Sequence, residues 1–225
     1  IIMCSLTVAG TTVLQAMVKD LNIEMASMVM AVVIGGYTLI GGLGATFYVS
    51  YFNTAFIFIL ILMLVAEVFY NPYDNENNPF GGSYQLYDYI NCWEAPDGNR
   101  EHNYMTFYST GGLVFGIVNI VGNFGTVFCD QAYWQSSVAA KPLQGVWGFI
   151  AGGLTWFAIP FTLATTMGLS YVGMSSAQNA SLLNDADVDA GLVAPVVAQT
   201  LLGPTGEYSM IFLILMAVMS TGSAE

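Results

Sequence analysis

Residues 111–142 read GGLVFGIVNIVGNFGTVFCDQAYWQSSVAAKP. The segment opens as an uncharged apolar run long enough to enter a bilayer, which a helix of about 20 such residues spans. At Gly122-Asn123-Phe124-Gly125-Thr126 it turns small and polar, and it leaves through Asp130, Gln131 and Lys141. Glycine costs a helix interior about 1 kcal/mol against alanine. Two glycines flanking an amide therefore predict a loosened, discontinuous helix at 122–126. Backbone opened at membrane depth is tolerated only where protein buries it or where it lines a wet cavity. The pattern predicts a solute site.

Composition extends this reading to the whole chain. Hydrophobic residues make up 56% and charged residues 8%, against about 25% charged in a soluble domain. Uncharged or nearly uncharged apolar runs fall at 25–44, 47–70, 111–129 and 144–172. Residues 1–16 read as the end of a further helix and 209–219 as the start of another. One such run could be a buried core helix, but four in 225 residues identify an all-α integral membrane protein. The expected spans are about 1–16, 25–44, 47–70, 109–130, 144–172 and 207–225. Ile1-Ile2 inside one apolar run and Glu225 directly after another are expected to be internal positions of a longer protein.

Net charge is −12, and the acidic residues gather in two polar segments. Asp74, Glu76, Asp88, Glu94, Asp97 and Glu101 lie in 71–108, and Asp185, Asp187, Asp189 and Glu207 in 173–207. Counting crossings puts both segments on one side and Lys141 on the other, which the positive-inside tendency makes cytoplasmic. Asn179-Ala180-Ser181 is a glycosylation acceptor triplet in the second segment. The expected location is thus an integral protein of the plasma membrane, in contact with lipid, with loops 71–108 and 173–206 extracellular. Cys4 and Cys129 read as small buried hydrophobes. Cys92, in the outer segment, could pair only with a segment beyond this sequence.

Several chemistries are excluded. His102 is the only histidine, so no histidine-based metal constellation or hydrolytic triad can be assembled, and no enzyme is expected. Gly41-Gly42-Leu43-Gly44 lacks the lysine–serine pair of a phosphate loop and reads as a tight cytoplasmic hairpin. Three basic residues in all exclude a nucleic-acid surface. The polar residues within spans remain. Asn53 and Thr54 suit hydrogen bonding between helices. Asn123 and Thr126 suit solute contact. Pro160 predicts a kink in 144–172 beside Thr162, Thr165 and Thr166. Ser220 and Thr221, with the Ala217 carbonyl one turn earlier, could converge on a small cation, although such hydroxyls usually bond back to the preceding turn.

These motifs carry a resemblance. Tyr37-Thr38-Leu39-Ile40-Gly41-Gly42-Leu43 resembles the YTxxGGL hairpin of the sodium:solute symporters. Asp130-Gln131 through Ala139-Ala140-Lys141 resembles that family's Q…AAK ending, and Ala217-Val218-Met219-Ser220-Thr221 its AxxSS/ST sodium motif. GNFGTVFCDQAYWQ and GGLTWFAIPFTLATTMGL look most like the family's high-affinity urea active transporters. The resemblance implies a partial inverted-repeat (LeuT-like) transporter core, running from about core helix three to core helix eight. It implies substrate contacts at Asn123, Gly125 and Thr126, and half of a sodium site at Ala217, Ser220 and Thr221. Asp130 and Gln131 become gating or capping residues. Many sodium-coupled members carry Thr-Asp at the start of core helix five; Val49-Ser50 stands here and removes that carboxylate.

The expected function is secondary active urea transport coupled to sodium or a proton, with no organic cofactor. The alternatives are a symporter for a polyamine, amino acid or sugar, and a passive urea channel or transporter-like sensor. The small residues after Asn123 suit a tiny planar solute. Oligomeric state is not legible.

Overall fold

The computed structural model describes residues 2–18, 20–70, 80 and 82–222. Asp74 and Glu76 of the expected outer loop lie outside these residues, as does Ser223. The described chain is almost wholly helical. Its α-helices are α1 (Ile2–Met17), α2 (Ile23–Phe69), α3 (Ser83–Cys92), α4 (Thr110–Cys129), α5 (Gln131–Ala139), α6 (Pro142–Gln178), α7 (Asp185–Asp189), α8 (Val193–Leu202) and α9 (Pro204–Gly222). Two single 3-10 turns, at Arg100–His102 and Tyr104–Thr106, lie between α3 and α4. Helices α2, α4, α6 and α9 are each long and apolar enough to cross a membrane.

α2 is two helical arms joined at a kink. Gly42 sits at φ 55°, ψ −158°, a region that only glycine occupies readily. A Cβ on Gly41 would collide with that of Ala45. The packing partners show how far the chain turns. Met30 and Ile34 pack with Val218 of α9, whereas Ile57, Leu60 and Ile61 pack with Leu213. Along a straight helix at about 1.5 Å per residue, Met30 and Ile61 would stand about 46 Å apart. Leu213 and Val218 are separated by only about 7.5 Å on the same reckoning. The two arms of α2 therefore fold back at the Gly41–Gly42 turn and hold α9 between them. This is the hairpin that the GGL motif predicts.

At the far end from that turn, the described parts of the segments expected as outer loops, residue 80 with 82–108 and 173–206, are folded rather than open. Phe80, Leu86 and Ile90 are buried with Leu64 and Val68 of α2, Met174 of α6, Val197 and Leu201 of α8, and Met210 of α9. Gly173 makes this packing possible. A Cβ there would stand 2.5 Å from Leu86 Cδ1 and 2.8 Å from Phe80 Cε1, closer than carbon atoms approach. α6 also runs without interruption through Pro160 to Gln178. Proline removes one backbone donor, yet the apolar helix on either side of it continues.

Two expectations about cysteine are corrected. Cys4 and Cys129 are exposed rather than buried, because the helix faces that carry them have no packed neighbour here. Cys92 is likewise a free, exposed thiol at the end of α3.

Candidate functional site

The expected break at 122–126 is absent. α4 is helical from Thr110 to Cys129, with the Ser109 hydroxyl accepting the Gly112 N–H at 3.3 Å as its cap. Thr126 donates to the Gly122 carbonyl at 3.0 Å, the back-bond that hydroxyls commonly make within helices. A penalty near 1 kcal/mol per glycine is too small to open a helix whose remaining residues are mostly apolar.

The discontinuity lies further along, at Asp130. This residue has φ −88°, ψ 120°, and separates α4 from α5. Its Oδ1 accepts the Ala132 N–H at 2.9 Å, a capping bond that holds the start of α5. Its Oδ2 is buried with no partner among the described residues. Aromatic side chains brace the junction. Phe124 and Phe128 lie 4.9 Å apart, Phe128 and Trp134 6.3 Å apart, and Trp134 Nε1 donates to the Phe128 carbonyl at 3.0 Å. Gln131 opens α5 and is exposed.

Asn123 is exposed and, among the described residues, its amide has no partner. Asn119, one turn earlier, contrasts with it by donating to the Phe115 carbonyl at 2.9 Å. Of the two amides, only that of Asn119 is engaged by its own helix. Gly125 has open space around its Cα. α4 buries none of its residues, so the structure does not pack Asn123, Gly125 and Thr126 against the cation candidates on α9.

Those candidates lie in the last turns of α9, beside both arms of α2. Thr221 donates to the Ala217 carbonyl at 3.1 Å, the back-bonding common for hydroxyls in membrane helices. Ser220 is also engaged. From α2, Tyr37 donates to the Met219 carbonyl at 2.7 Å, and the buried Asn53 to the Met216 carbonyl at 3.3 Å. Asn53 thus bridges helices as its position implied. The part played by Tyr37 was not legible, because its partner is 182 residues distant. No group of three or more His, Cys, Asp or Glu that could hold a metal occurs among the described residues. Asn179, the glycosylation candidate, is exposed in the left-handed conformation that ends α6.

Comparison with known proteins supplies the context. No family model matches the chain, and no solved structure matches it. Curated proteins do. The urea-proton symporter DUR3 of Oryza sativa subsp. japonica is 35% identical over 243 residues, covering all of this chain and 32% of the rice protein. The probable urea active transporter 1 of Schizosaccharomyces pombe is 35% identical over 234 residues, again covering the whole chain and 34% of that protein. Over its whole length the chain is similar to proteins named as urea transporters. The urea active transporter of Saccharomyces cerevisiae matches 84% of the chain at 36% identity, over 26% of its own length. The chain thus spans about a third of the length of the first two relatives. With its four long apolar helices among the described residues, it is an all-α membrane protein.

Proposed function

We propose that the chain forms part of a secondary active transporter that carries urea across a membrane together with a proton or a sodium ion. The observation that carries this reading is the similarity over the full chain to relatives named as urea transporters, one of them as a urea-proton symporter. Transport, rather than catalysis, is then the role of the polar positions on these helices.

In this reading the chain supplies about core helices three to eight of an inverted-repeat (LeuT-like) core, and access alternates by rocking of helices around a central site. Asn123 is the first substrate contact, with Gly125 and Thr126 beside it. Urea offers four N–H donors and one carbonyl, and an unpaired amide can both donate and accept. Ala217, Ser220 and Thr221 form half of a sodium site if sodium is the coupling ion. A cation arriving there would compete with the Thr221–Ala217 bond for the same carbonyl oxygen. Asp130 and Gln131 gate or cap the end of the substrate helix. The exposed apolar sides of α4 and α6 meet lipid or further helices. Segments 71–108 and 173–206 face the outside of the plasma membrane, with Asn179 open to glycosylation.

Labelled urea uptake by the full-length protein, with sodium removed and external pH varied, tests this. Saturable uptake that depends on either ion is expected. Unsaturable uptake indifferent to both would contradict coupled transport.

A further inference from the structure

Each arm of α2 carries an apolar stripe toward α9 that ends, on the side of the Gly41–Gly42 turn, in a polar group. On the first arm Met30, Ile34 and Tyr37 recur at the spacing of one helix face. Met30 and Ile34 pack with Val218, and the half-buried Tyr37 donates its hydroxyl to the Met219 carbonyl at 2.7 Å. On the returning arm Asn53, Ile57 and Leu60 repeat that spacing. Ile57 and Leu60 pack with Leu213, and the buried Asn53 amide donates to the Met216 carbonyl at 3.3 Å. Two backbone oxygens of α9 are thus taken by side chains from outside the helix.

The Ala217 carbonyl lies between them in sequence and has a partner of another kind. It accepts from the exposed Thr221 hydroxyl of its own helix at 3.1 Å. A threonine hydroxyl leaves such a bond by a single side-chain rotation, whereas Tyr37 and Asn53 belong to a packed hairpin. The flanking carbonyls are therefore committed, and that of Ala217 is the one an arriving cation takes with least rearrangement. Doing so removes the back-bond that Thr221 makes to its own turn. The turn then keeps its place through the contact at Met219, directly before Ser220 and Thr221.

We infer that Tyr37 is a positioning residue for the cation site on α9. Its hydroxyl holds Met219, and with it the adjacent Ser220 and Thr221, where a cation meets them. The inference rests on the reading of Ala217, Ser220 and Thr221 as part of a sodium site, and names what fixes their place. A site that is ordered in only part of the population binds with an affinity reduced by that fraction. Removing the Tyr37 hydroxyl thus weakens cation binding without altering a ligand atom.

The test follows sodium binding and sodium-driven uptake in the full-length protein carrying Tyr37→Phe, which keeps the ring and loses the hydroxyl. The sodium concentration giving half of the thermal stabilisation of the purified protein is expected to rise about three-fold, the factor that an average interhelical hydrogen bond corresponds to. Half-saturating sodium for urea uptake rises with it. The maximal rate at saturating sodium, and half-saturating urea measured there, stay unchanged. Thr38→Val is the control, because the Thr38 hydroxyl donates to the Ile34 carbonyl of its own helix at 2.8 Å; both sodium values are expected to stay as in the unaltered protein. Unchanged sodium values in Tyr37→Phe, or an equal rise in Thr38→Val, would overturn the role of Tyr37 and leave the cation site standing. No response of the unaltered protein to sodium in either measurement would overturn the cation site and this inference together, with urea transport still standing.

Discussion

The Tyr37 hydroxyl lies 2.7 Å from the Met219 carbonyl, which ties the first arm of α2 to the last turn of α9. Asn53, on the returning arm, holds the Met216 carbonyl from the other side. Between these two anchors lies the Ala217 carbonyl, the proposed cation ligand. Interhelical hydrogen bonds in membranes contribute about 0.6 kcal/mol each on average, and up to about 1.7. Asn53→Ala, which also leaves a small cavity in a buried position, is expected to lower thermal stability in detergent by about 1–2 kcal/mol. Tyr37→Phe should cost less, about 0.6 kcal/mol. Melting curves of the purified full-length variants check both.

Gly42→Ala places a side chain at φ 55°, ψ −158° and is expected to cost about 1–3 kcal/mol. Gly36→Ala, inside the first arm with open space around it, should be neutral or mildly stabilising. The yield of folded protein from the two variants separates a required turn from a general dislike of substitution.

Gly173→Val is expected to destabilise the protein by about 1–3 kcal/mol by driving into Leu86 and Phe80. Adding Leu86→Ala should relieve part of that cost, so the double variant would be more stable than the sum of the single effects predicts. Strict additivity, read from denaturation of all four proteins, would mean that α3 does not seat on α6 at this glycine.

Legibility in the sequence followed the range of the interactions. The apolar runs and the Tyr37–Leu43 motif gave the long helices and the turn, because a bilayer's thickness and a glycine-only backbone are local constraints. The chain between 71 and 108 read as an acidic loop because it carries six of the fifteen acidic residues and no long apolar run. Yet Phe80, Leu86 and Ile90 suffice to seat α3, and their partners on α6 and α8 are distant in sequence. At 122–126 the glycines suggested a break, but their cost is too small to open the apolar helix, and the real junction at Asp130 looked only like a helix exit. For the candidate site, residue types were readable but their availability was not. The flanking glycines set Asn123 apart from Asn119 in the sequence, but not that Asn119 is engaged by its own helix while Asn123 is unpaired.

Asp130→Ala should cost about 0.5–2 kcal/mol through loss of the cap on α5, and Asp130→Asn much less, since asparagine caps as well. Stability of the two variants in detergent measures this. If Asp130 also gates, Asp130→Asn will alter the rate of uptake while sparing stability.

Asn123→Ala is expected to raise the half-saturating urea concentration several-fold, since a good neutral hydrogen bond is worth about 0.5–1.5 kcal/mol. Asn119→Ala, which removes an amide already bonded to its own helix, should leave it unchanged. Uptake titrations of the two variants side by side decide whether the unpaired amide meets the solute.

The central claim is that urea movement is driven by an ion gradient. Its most direct measurement is accumulation of labelled urea in proteoliposomes of the full-length protein, with an inward proton or sodium gradient imposed and then collapsed by an ionophore. Urea is predicted to rise above its external concentration while one of the two gradients stands, and to fall back when it collapses. Equilibration to the external concentration and no further, under either gradient, would show a passive pathway and contradict the account.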